Sequence, residues 1–147
     1  MNGYFDIALN LASERFSGER DKVIADALTR NVNFFNIVCS SLNELDFVKD
    51  LNDRYRKNSC FTLGVHPHNA NELNGNTLKS LKDSIKIHQP SAVGETGLDF
   101  FRNLSSYENQ ICAFEQQIII SIENNLPLFL HQREAHDDFI KVIDKYI

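Results

Sequence analysis

At 147 residues the chain has the length of about one domain, and its 42% hydrophobic content can supply a core. A net charge of −5 and a pI near 5.5 exclude a globally basic surface of the kind that tracks along DNA by counterion release, so any nucleic-acid contact has to be local. The amino terminus MNGYFDIAL lacks a basic region ahead of a long apolar stretch, and the longest apolar runs fall far short of the roughly 18 residues that a membrane helix needs, so a soluble, unexported protein is expected.

In chain order, short β-rich runs alternate with longer amphipathic segments. Tyr4 to Leu9 reads as a first strand and Glu19 to Arg30 as the helix behind it. Asn33 to Cys39 and Ser41 to Arg56 form the next pair, with Ser41 and Glu44 in capping-box spacing. Cys60 to Val65 and Thr77 to His88 follow, then Ser91 to Gly94 and Ser106 to Asn124, where Ser105 and Glu108 repeat the capping spacing. Pro127 to Leu130 and Ala135 to Ile147 close the series. The strand runs are almost continuously apolar, as expected of strands covered on both faces. No repeat, low-complexity tract or Pro/Gly-rich linker marks a boundary, so residues 1–147 are read as a single α/β domain. Cys39, Cys60 and Cys112, odd in number and without CxxC spacing, point to reduced thiols in the cytoplasm, packed as small buried hydrophobes.

Five βα units predict five parallel strands, and two architectures fit. A doubly wound flavodoxin-like sheet suits the length, whereas a (β/α)₈ barrel takes about 250 residues. The distribution of polar residues favours the barrel, because several successive strands end in ligand-type side chains. The last segment carries Phe139, Val142, Ile143, Tyr146 and Ile147 at helical spacing to the final residue. It reads either as a barrel interrupted after its fifth helix or as a helix that ends on its own sheet. A five-strand piece exposes two strand edges, which suggests self-association through them.

Three polar clusters each close an apolar run: Gly64-Val65-His66-Pro67-His68, Gly94-Glu95-Thr96-Gly97-Leu98-Asp99, and His131-Gln132-Arg133. The steps of 31 residues from Gly64 to Glu95 and 36 from Glu95 to His131 match one βαβ repeat, so all three share one rim of a parallel sheet. His66 and His68 flank a proline that biases its predecessor towards extended backbone, so both imidazoles are expected to point the same way, as metal or phosphate ligands or as satisfied loop residues. Glu95 follows Ala92-Val93-Gly94 and is expected at the last position of a buried strand. There it needs a positive partner, either a divalent metal or Arg102 or Arg133. His131 ends Leu126-Pro127-Leu128-Phe129-Leu130 and is a candidate metal ligand. Arg133 is a candidate for holding a phosphate or a carboxylate, and Asp99 for supporting a ligand or touching substrate. His88 and His136 fall in helical segments and read as surface residues.

These motifs, with Asp6-Ile7, Asn10-Leu11, Phe100, Arg102-Asn103 and Glu134-Ala135-His136, resemble the TatD-type metal-dependent deoxyribonucleases, in order and over the whole chain. The resemblance implies a (β/α)₈ TIM barrel of the metal-dependent hydrolase kind, here reduced to about five βα units. It also implies a divalent metal, Mg²⁺ or Mn²⁺ ahead of Zn²⁺, and hydrolysis of DNA phosphodiesters at a single strand or strand end, often as a 3′-to-5′ exonuclease. Glu95 and His131 match family metal ligands, and His66 matches a position that approaches the substrate phosphate. Ala8 and Asn10 stand where many members carry His-x-His, resembling the subgroup that lacks that pair. The family's later His and Asp are expected past residue 147, so the resemblance implies a partial metal site. The alternative function is a non-catalytic relative that keeps a partial site or serves as an interaction module.

Overall fold

The computed structural model describes residues 3–146; Met1, Asn2 and Ile147 lie outside the described residues. Five strands, β1 (Tyr4–Leu9), β2 (Val32–Ile37), β3 (Ser59–Leu63), β4 (Ala92–Asp99) and β5 (Leu128–Arg133), form one parallel sheet in the order β1-β2-β3-β4-β5. That sequential order decides between the two architectures. A flavodoxin-like sheet reverses direction, with strand order 2-1-3-4-5, whereas each strand here is laid beside its predecessor, as in a half-barrel.

The connecting helices are α1 (Arg20–Thr29), α2 (Leu45–Arg54), α3 (Gly75–His88), α4 (Tyr107–Asn124) and α5 (His136–Ile143). A core of Phe35, Ile37, Leu51, Leu63, Leu81, Ile85 and Val93 lies between the early strands and their helices. Leu98, Phe114, Ile118 and Val142 form a second cluster under α4 and α5. Fully burying side chains of this size contributes roughly 1.5–3 kcal/mol each.

Several boundaries differ from the sequence expectation. Ser41 accepts from the Asn43 N–H, but Glu44 reaches the Ser40 N–H, so the segment opens with a 3₁₀ turn (Leu42–Glu44) before α2. The cap of α4 is Ser106; Ser105 instead donates to the His68 carbonyl oxygen. The full capping box belongs to Asn74 and Thr77 and starts α3 two residues earlier than periodicity indicates. α5 stops at Ile143, because the amides of Lys145 and Tyr146 turn back to carbonyls three residues away. Of the cysteines, Cys39 is buried and Cys60 half-buried, but Cys112 is exposed on α4. That corrects its expected burial, since its helix position faces away from the sheet.

β4 is the largest correction. It does not end at Gly94 but runs five residues further, to Asp99. A register shift lies between Gly94, opposite Phe129, and Thr96, opposite Leu130, which makes Glu95 the extra residue of a bulge. Glu95 therefore sits inside the strand, turned out of its ladder, and Asp99 occupies the strand end. Gly94 (φ 140°) and Gly97 (φ 144°) make this backbone path accessible, and a Cβ on either would collide with a carbonyl oxygen of β5.

Candidate metal centre

Glu95 and His131 meet where β4 and β5 run side by side. His131 Nδ1 is 2.9 Å from Glu95 Oε1, and His131 Nε2 is 3.2 Å from Asp99 Oδ2. His131 sits opposite Gly97 in the ladder, within β5 rather than after it, because that strand extends to Arg133. Neither Arg102 nor Arg133 pairs with Glu95 among the described residues.

His66 caps a 3₁₀ turn (Pro67–Glu72) that follows β3, with Pro67 at its first position. Its Nδ1 accepts the His68 backbone N–H at 3.1 Å, and its Nε2 lies 3.3 Å from His131 Nδ1 and 3.7 Å from Glu95 Oε1. The His66 and His68 rings both face the ends of β4 and β5, with centroids 4.2 Å apart, but they meet different partners. His68 Nε2 stands 2.7 Å from Asp99 Oδ2. Asp99 is only 1% exposed; it gathers His68 and His131 on Oδ2 and accepts the Arg102 backbone N–H on Oδ1.

The proton positions follow from these partners. A carboxylate accepts only, so His131 presents Nε2–H to Asp99 and turns Nδ1 towards a second carboxylate. Two acceptors 2.9 Å apart require a cation between them. A proton can bridge them as a hydrogen bond, and this contact with Glu95 raises the His131 pKa. Burial works against ionisation of Glu95, but its histidine neighbours outweigh it and hold the carboxyl below its ordinary value. Burial likewise opposes the Asp99 carboxylate, yet the Arg102 amide and His68 together bring it down to about 2. His66, buried and already accepting on Nδ1, is pushed down to about 4 by desolvation, so it is neutral and carries its proton on Nε2.

One ligand atom from each of His66, Glu95 and His131 falls within 4.8 Å of the other two. Ligands about 2.1 Å from one ion lie within about 4.2 Å of each other, so the pair Glu95–His131 fits a divalent metal as it stands. The tautomer separates the third member: His66 offers an N–H rather than a lone pair to this space. A polar cleft of about 260 Å³, lined also by Asn10, Ser40, Glu44 and Asn69, opens onto the cluster.

Two residues that sequence reasoning missed fix the loops carrying these side chains. Gln117 takes both backbone groups of Val65, accepting from its N–H at 2.7 Å and donating to its carbonyl at 3.0 Å. Gln110 does the same for Asp99, accepting at 2.8 Å and donating at 3.2 Å. Both glutamines are buried on α4, seven residues apart on the face it turns to the sheet. Amides recurring at helical spacing on an otherwise apolar face were the available signal. Gly64 leaves room for this arrangement, since a Cβ there would crowd Gly94 and Gln117. Arg133 is not drawn into the cluster; its guanidinium lies 3.8 Å over the Phe101 ring.

Residues 5–147 match the family described as TatD related DNase. The chain belongs to that family. A "3'-5' ssDNA/RNA exonuclease TatD" from Erwinia tasmaniensis is 40% identical over 145 residues, which cover 97% of this chain and 55% of the relative. The protein of the same name from Escherichia coli K12 is 36% identical over 144 residues, with the same coverage. An uncharacterized amidohydrolase from Saccharomyces cerevisiae superposes with a TM-score of 0.89 at 28% identity, covering 99% of this chain and 52% of its own. The TatD homolog YJJV of Escherichia coli superposes with a TM-score of 0.88 at 23% identity, a likeness of fold. This TatD-family chain thus spans about half the length of the curated relatives it matches.

Proposed function

We propose that this TatD-family chain carries the metal-binding and phosphate-binding part of a hydrolase that cleaves phosphodiesters in DNA, acting as a 3′-to-5′ exonuclease on a single strand or strand end. The observation that carries the reading is the facing pair Glu95 Oε1 and His131 Nδ1, with the other nitrogen of His131 held by Asp99. Such an outward tautomer, fixed from behind by a carboxylate, is a common setting for a metal-ligating histidine.

Glu95 and His131 are assigned as the ligands of a divalent ion, Mg²⁺ or Mn²⁺ in preference to Zn²⁺. When bound, such an ion polarises a phosphoryl oxygen and lowers the pKa of attacking water. His66 is assigned the phosphate: its neutral ring directs Nε2–H into the same space and can donate to a phosphoryl oxygen as charge develops there. His68 and Asp99 act together behind it, keeping His131 from turning. Arg133 adds positive charge at the rim within reach of an incoming strand. The names of the relatives support a nucleic-acid substrate, and free Cys39, Cys60 and Cys112 support a reducing, cytoplasmic setting. Exposed apolar residues on β1 and β5 support association with further polypeptide through those strands.

The test is Mg²⁺- or Mn²⁺-dependent release of nucleotides from single-stranded DNA, comparing the natural chain with Glu95→Gln and His131→Ala. Activity that both variants abolish is expected. Activity no higher than theirs would leave the chain as a non-catalytic relative.

A further inference from the structure

Phe101 and Arg133 form a pair that the metal centre does not use. Phe101 follows β4 and is 54% exposed, and the Arg133 guanidinium stacks 3.8 Å from its centroid. The backbone fixes where they stand. Arg133 is opposite Asp99 in the β4–β5 ladder, and its carbonyl accepts the Phe100 N–H at 3.0 Å. Side chains two apart on a strand share a face, so Arg133 projects on the same side as His131, roughly 7 Å further along β5. The pair therefore forms the next layer above the Glu95–His131 layer, on the same rim.

We propose that Phe101, held upright by Arg133, is a stacking platform for one nucleobase of a single strand whose phosphate lies at His66 and the Glu95–His131 pair. An aromatic face accepts any base, and a guanidinium against it adds charge that favours the adjoining backbone without specifying sequence. This also explains how a chain with net charge −5 can hold a polyanion: the contact is one ring and one cation at the site rather than a basic surface. A base stacked there selects unpaired strands over duplex, whose bases are already stacked on each other. The inference rests on the proposed phosphodiesterase reading and names the residue that holds a base of its substrate.

The experiment uses a hydrolysis-resistant phosphorothioate tetranucleotide ending in 2-aminopurine, and the same oligonucleotide with an abasic terminus, each titrated in Mn²⁺ against the whole chain. The base-bearing probe is expected to bind about tenfold more tightly and to lose fluorescence on stacking. Phe101→Ala should erase that preference while leaving affinity for the abasic probe and for Mn²⁺ unchanged, and Phe101→Trp should restore it. Equal binding of the two probes, a preference that survives Phe101→Ala, or no binding of either overturns the platform. A Mn²⁺ titration indifferent to Glu95→Gln and His131→Ala overturns the metal reading instead, so the two failures are distinct.

Discussion

His131 meets Glu95 through Nδ1 at 2.9 Å, so a proton and a metal ion compete for the same place between them. The His131 pKa is raised by this contact, and bound metal must displace the proton. Affinity for Mn²⁺ should therefore climb as pH rises through the raised His131 pKa and level off above it. Isothermal calorimetry across that range, in buffers of different ionisation enthalpy, should detect about one proton released per ion. Glu95→Gln should weaken binding at least tenfold, or roughly 1.4 kcal/mol. A pH-independent affinity would refute the competition.

Asp99→Asn separates orientation from ligation. The amide keeps an acceptor for His131 or for His68 but loses the charge that attracts both, and metal affinity should fall about 10–100-fold. A second effect follows from the depressed Asp99 pKa, about 2 in the folded protein. Its stabilising contribution is complete above the ordinary aspartate value near pH 4 and disappears as pH falls towards about 2. Urea midpoints measured against pH should show a shallower acid decline in the variant.

Gln117→Leu removes both partners of the buried Val65 amide and carbonyl. The expected cost is about 2–4 kcal/mol, from two unsatisfied backbone groups with little change in side-chain volume. Gln117→Glu keeps the acceptor for the N–H but loses the donor and buries an acid against the Val65 carbonyl with no cation beside it among the described residues, so it should cost at least as much at neutral pH. Denaturant unfolding of the three proteins gives the order directly, and an unchanged midpoint in Gln117→Leu would show that Val65 finds other partners.

The elements were legible because each strand run is apolar and each helix repeats at its own period; Tyr4–Leu9 is recovered without error. Glu95, His66 and His131 were legible as ionisable residues closing such runs. The bulge was not, because Gly-Glu-Thr-Gly reads as a turn after a strand unless the partner strand is known to continue to Arg133. For the same reason Asp99 was underrated: its importance comes from standing across a ladder from Arg133 and beneath two histidines, relations between strands that a single strand's sequence does not contain. The orientation of Arg133 over Phe101 is likewise invisible in the sequence, since one residue ends β5, the other lies in the turn after β4, and only their packing joins them.

Exposed edge strands lead to a solution prediction. Tyr4, Phe5 and Ile7 on β1 are 73%, 50% and 59% exposed, and Leu130 on β5 is 43% exposed. Unpaired apolar edges recruit further strands. The 147-residue chain should associate as its concentration rises in sedimentation velocity, and Ile7→Lys should shift the distribution towards the monomer. A single slow species for both proteins at all concentrations would count against edge pairing.

Gln110 and Gln117 give α4 a role beyond covering the sheet. One rigid rod grips the stem of the His66 loop at one point and the Asp99 strand end at another, two helical turns apart. The two grips tie the spacing between phosphate donor and anchoring carboxylate to the fixed rise of one helix. α4 serves as a gauge block for the site.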